Sequence, residues 1–252
     1  MHLIRRKSFG LFITGVLVAC VLLLTSGNTI PAPARLAISI KHLNGNAALQ
    51  LDTVKYKNAF GQGYTISKFR YYLGKICLEK RDRSKYLTDK YFLVDEEDAS
   101  SKNLLFTDVP EGDYKSISFI IGVDSALNCS GVQSDALDPA NGMFWTWSTG
   151  YIFLKLEGHA DASLSPGHIF EYHIGGFKQP YNCIRKVSLG LGEKGMYLTA
   201  GKESKIELDV DVAEVLNAHN KIDFSKLSSV TDFHNCTLVA DNYANMFSIV
   251  KQ

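Results

Sequence analysis

The sequence predicts an all-β chain: a single-domain β-sandwich with a short C-terminal helix. Three observations carry this. Apolar residues recur with a period of two in roughly eight runs between Leu36 and Val212, the pattern of half-buried strands. Turn-forming residues separate the runs. Helical spacing is confined to Val212–Ala218, with a further turn near Phe224–Leu227.

Taken in order, Leu36, Ile38, Ile40 and His42 share one face of the first run. Phe69, Tyr71 and Leu73 share a face between Ile66 and Leu78, and Tyr91 to Val94 is a short apolar run. Ile117, Phe119, Ile121 and Val123 alternate against Ser116 and Ser118, and Ile152, Leu154 and Leu156 against Lys155 and Glu157. Phe170, Tyr172 and Ile174 follow, then Val187, Leu189 and Leu191, then Ile206, Leu208, Val210 and Val212. Asn44-Gly45-Asn46, Pro110-Glu111-Gly112-Asp113, Ser165-Pro166-Gly167 and Gly201-Lys202 suit tight reversals. A polar-out face on so many strands argues for two packed sheets in one domain.

The chain has 252 residues and a net charge of +1, so no basic excess points to nucleic acid. Arg5, Arg6 and Lys7 precede an apolar run from Phe9 to Leu24, too short for the roughly 20 residues of a spanning helix. Residues 1–34 are therefore expected to be a secretory signal and short linker, and 35–252 the folded domain. Leu17-Val18-Ala19-Cys20 resembles a lipobox, which would make Cys20 a lipid anchor and the chain's one attachment to a membrane. The alternative is ordinary cleavage near Gly27 or Pro31-Ala32-Pro33-Ala34. Export places the domain in the periplasm, on the cell surface or outside the cell, all oxidising. Cys77, Cys129, Cys183 and Cys236 then allow three pairings; Cys129 with Cys183 is favoured because both lie in loop-like segments.

The residues richest in chemistry lie between Leu137 and Gly176. Both tryptophans, Trp145 and Trp147, are two positions apart and share a strand face with Met143. His173 follows just before Gly175-Gly176, with Glu171 in position to orient its ring. His42 sits on the apolar face of the first strand, where it needs a hydrogen-bond partner. His159, His168, His219 and His234 stand in polar or loop contexts and read as surface residues. An intact indole only donates, so an unmodified tryptophan is no ordinary metal ligand. Hydrolase chemistry is not indicated: there is no G-x-S-x-G elbow and no His-Glu-x-x-His, and Asp124, Asp138 and Glu157 have no spacing that favours a paired-carboxylate site.

Five segments stand out: ISKFRYYLGKICL (Ile66–Leu78), VPEGDYKSISFIIGVD (Val109–Asp124), ALDPANGMFWTWSTGYIFLKLEG (Ala136–Gly158), FEYHIGGF (Phe170–Phe177) and ADNYANMF (Ala240–Phe247). Together they resemble the MbnP-like copper-binding proteins. The resemblance implies a non-enzymatic copper-binding protein. It implies further that a tryptophan is oxidised to kynurenine by a partner dihaem enzyme of the cytochrome c peroxidase/MauG kind. Opening the indole exposes an aryl amine and a carbonyl oxygen, donors that tryptophan lacks. On this sequence the implied Cu(I) ligands are His42, His173 and Trp145 as kynurenine, with Trp147 the alternative modified residue. The two histidines are then expected to converge near the Trp145 strand. The competing expectation is a secreted binding module whose paired tryptophans form a platform for a sugar or peptide.

Overall fold

The computed structural model describes residues 32–146 and 149–250. The basic and apolar N-terminal segment, with Cys20, and Trp147 lie outside the described residues. Along the chain the strands are β1 (Ala34–Asn44), β2 (Ala47–Ala48), β3 (Tyr56–Lys57), β4 (Gly63–Lys80), β5 (Lys85–Leu87), β6 (Tyr91–Asp95), β7 (Asn103–Val109) and β8 (Gly112–Ile121). They continue with β9 (Phe144–Thr146), β10 (Gly150–Ala160), β11 (Ile169–Gly175), β12 (Arg185–Gly190), β13 (Met196–Leu198), β14 (Glu203–Asp211), β15 (Ser229–Val230) and β16 (Phe247–Ile249). Among the described residues three short α-helices interrupt them: α1 (Ser125–Asn128), α2 (Ala213–Asn217) and α3 (Cys236–Tyr243).

Among the described residues the strands form two sheets, of five and eleven strands. The smaller runs β16-β14-β1, with β2 and β7 also on β1. The larger runs β12-β8-β4-β10-β11-β15, with β3, β5 and β6 on β4, β9 on β10 and β13 on β8. β1 and β14 pair in parallel, His42 opposite Val210. A parallel pair cannot be closed by a hairpin; here nearly the whole domain is the crossover between them. The seven alternating runs and the short apolar run Tyr91–Val94 all appear as strands. β1 hides Ala34, Leu36, Ile38, Ile40 and His42 while Arg35 and Lys41 face solvent.

The sheets meet through aromatic rings. Phe119 of β8 and Tyr71 of β4 contact Phe247 of β16, with centroids 4.8 and 5.8 Å apart. Phe92 of β6 meets Phe106 of β7 at 5.6 Å. Each buried aromatic contributes roughly 1.5–3 kcal/mol through area removed from water, so this seam is a main source of cohesion.

The predicted helix at Val212–Ala218 is α2, with Val212 and Ala218 as its flanking residues. The segment near Phe224–Leu227 forms a single turn closed by Lys226 N–H and Leu227 N–H on Asp223 O. Helix α3 carried no local signal. Its flanking Asn235 is left-handed and makes no side-chain cap, and no acidic residue lies in its first turn. It is held by tertiary contacts: the buried Asn242 amide donates to Val215 O and Asn220 O and accepts from Asn220 N–H, at 2.7–2.9 Å.

Candidate functional site: the Trp145 and His173 face

β10 and β11 bury Leu154, Leu156, Tyr172 and Ile174 toward the smaller sheet and turn Lys155, Glu157, Glu171 and His173 to the other side. Trp145 lies on that outer side. Its strand β9 folds back on the start of β10, with Thr146 opposite Gly150 and Phe144 opposite Tyr151. Two outer-face cations help hold the segment leading into it: Lys155 Nζ donates to Gly142 O at 2.9 Å and Arg70 Nη1 to Asn141 O at 3.4 Å.

The Gly175-Gly176 pair is explained by what rests on it. A Cβ on Gly175 would stand 2.7 Å from Cζ3 of Trp145 and 2.5 Å from Tyr151 O. Gly176 has φ of 113°, and a Cβ there would collide with Tyr181 O and crowd the Phe233 ring. The half-buried indole thus lies against Gly175, two residues from His173 on the same strand face. Phe233 meets it edge-on at 5.9 Å and in turn stacks on Tyr181 at 6.0 Å. The benzo edge of Trp145 therefore rests on Gly175 and its ring is crossed by Phe233, so the indole is half-buried rather than an open platform.

His173 is oriented from the neighbouring strand. Its Nε2 lies 2.7 Å from Glu157 Oε1. The hydrogen bond from His173 holds the Glu157 carboxyl below the usual carboxylate range, against the opposing effect of burial. Glu157, not the expected Glu171, is thus the partner. Lys155 stands directly opposite His173, and burial lowers its ammonium pKa. Nδ1 of His173 makes no hydrogen bond among the described residues and is the nitrogen a metal would take.

The structure does not bring His42 to this face. His42 is inside the sandwich, its side chain 0% exposed against 19% for His173. Its Nδ1 lies 2.6 Å from Glu96 Oε2 and its Nε2 2.9 Å from Tyr71 Oη, and its ring meets Phe69 edge-on at 5.0 Å. Lys102 Nζ also donates to Glu96 Oε2, at 2.8 Å. Burial lowers the His42 pKa and favours the neutral ring. Burial raises Glu96, but hydrogen bonds from His42 and Lys102 more than offset it, leaving its pKa lowered. Glu96 is then a carboxylate that only accepts, so Nδ1 carries the ring proton and Tyr71 donates to Nε2. Both nitrogens are engaged, and a metal there would have to break one bond. The expected convergence of His42 with His173 is corrected accordingly: they lie on opposite sides of the larger sheet.

The remaining candidates have ordinary duties. Met143 is wholly buried. Asp124 caps α1 by accepting from Leu127 N–H, and Asp138 accepts from Ala140 N–H. His159, His168, His219 and His234 are exposed. Cys129 is exposed, whereas Cys183 is buried beside Cys236, so the favoured Cys129–Cys183 pairing is not the arrangement found. Among the described residues no three His, Cys, Asp or Glu side chains are grouped as a ready-made metal site. An imidazole with one free ring nitrogen, as in His173, is a donor that copper accepts; His42 has none to offer. Sequence reasoning missed Phe233 and Tyr181, which no local pattern connects to Trp145.

A two-sheet β-protein with a half-buried tryptophan seated on a strand glycine, and a carboxylate-oriented histidine two residues along that strand, is the class these observations define. The MbnP family profile matches residues 33–236, and the chain belongs to that family. Among solved structures it is similar to MbnP from Methylosinus trichosporium, with 14% identity, 76% of this chain and 79% of the other covered, and a TM-score of 0.49. No curated protein matches the chain.

Proposed function

We propose that this is an exported copper-binding protein, periplasmic or at the cell surface, that binds and does not catalyse. Residue 145, converted from tryptophan to kynurenine by a dihaem enzyme of the cytochrome c peroxidase/MauG kind, and His173 supply donors to Cu(I); the role is copper acquisition or homeostasis. The observation that carries this is the placement of the Trp145 indole on Gly175, two residues from His173 on one strand face. Copper prefers imidazole and other soft donors and needs no charged cage. Glu157 fixes the ring of His173 as outer carboxylates do for metal-bound imidazoles. The aryl amine and ketone of kynurenine would stand where the indole now packs, half open to solvent.

The test is a peptide map and copper analysis of protein from its native host. The expected result is the kynurenine mass on the peptide containing residues 145 and 147, with near-stoichiometric copper. His173→Ala should abolish copper retention, and Glu157→Gln should weaken it by roughly tenfold or more. Intact tryptophans and no copper, with the dihaem enzyme present in the cells, would overturn the reading.

A further inference from the structure

Two loops wall the far side of Trp145, and each ends in a buried cysteine. The first runs from Gly176 to Cys183, carries Tyr181, and is closed by Cys183 N–H on Gly176 O at 2.8 Å. The second carries Phe233 and runs into Cys236 at the start of α3. Both cysteines are fully buried. Cys236 Sγ is 3.9 Å from Tyr181 O, two residues before Cys183 in the first loop, and Tyr243 Oη donates to Cys183 O. The stacked Tyr181 and Phe233 rings sit beside this junction.

We propose that Cys183 and Cys236 form a disulfide that clasps the two aromatic loops against Trp145. The proposal is independent of copper and of any change at residue 145. During oxidative folding one of the two thiolates attacks one sulfur of a small disulfide oxidant such as oxidised glutathione and releases one glutathione thiol; the other cysteine then displaces the second glutathione. The protein loses two electrons and two protons, and the oxidant gains them as two thiols. The closed loop spans the β12–β15 region, so the cross-link removes much freedom from the unfolded chain.

The full chain is unfolded and refolded with oxidised glutathione, alkylated in denaturant without reductant, and mapped. The expected result is a peptide pair joined through Cys183 and Cys236, with Cys77 and Cys129 alkylated. The Tm should rise by about 5 °C or more over the reduced protein, and a C183S/C236S variant should show no such response. Alkylation of both Cys183 and Cys236, or linkage of either to Cys77 or Cys129, overturns the proposal. The wild-type map decides this even if the variant fails to fold.

Discussion

His42 and His173 show how one residue type takes opposite duties from its surroundings. In His42 both ring nitrogens are spent inside the sandwich, on Glu96 and Tyr71. Removing the ring leaves a carboxylate and a phenol underbonded in a buried place, which costs about 1–3 kcal/mol. His42→Ala should therefore lower stability by that amount in urea unfolding, while copper retained at the His173 face is unchanged. The pH response follows from the lowered His42 pKa. As pH falls through about 6.5, an unfolded histidine takes up a proton that the folded one resists. Stability is thus full above that pH and declines as the pH drops toward the folded pKa. His42→Gln removes this uptake, so its stability should fall less steeply below pH 6.5 than that of the wild type. Equal slopes for the two proteins would show that His42 does not titrate in this window.

The strand elements were readable because alternation is local: the register that buries Leu154 and Leu156 also turns Lys155 and Glu157 outward. The site was only half readable for the same reason. Alternation set His173 opposite Tyr172 and Ile174, and the Gly175-Gly176 pair stood out just after it. The pattern did not show that Glu157 reaches across from β10, or that Phe233 arrives from the distant loop before α3. His42 misled because an apolar-face histidine looks alike whether it is hydrogen-bonded or metal-bound; the distant Glu96 and Tyr71 decide which. The β9–β11 contact makes its own prediction. Gly175→Ala puts a methyl group into the Trp145 ring and the Tyr151 carbonyl, an overpacking that costs typically 1–3 kcal/mol. Its expected signature is a loss of that size in urea unfolding, with a shifted Trp145 indole N–H resonance. An unshifted resonance would mean that the indole does not rest on this glycine.

At the scale of the whole molecule, the two sheets are joined where late chain meets early chain. β14 pairs with β1 in parallel, and β16 then adds to the far side of β14, Phe247 opposite Val210. Phe247 projects from that outer position to the rings of Tyr71 and Phe119, on two different strands of the larger sheet. Tyr71 also holds His42, so the aromatic seam and the buried polar network share a member. Phe247→Ala deletes the ring that spans the gap, and its neighbours belong to sheets that cannot close inward without losing pairing. The expected cost is about 3–5 kcal/mol, the range for emptying a buried aromatic site, with a Tm lower by roughly 6 °C or more. Because the two residues share Tyr71, Phe247→Ala and His42→Ala should not be additive, unlike changes at well-separated sites. A double variant whose loss equals the sum of the single losses, by urea unfolding, would mean that the polar network and the aromatic seam stabilise the sandwich independently.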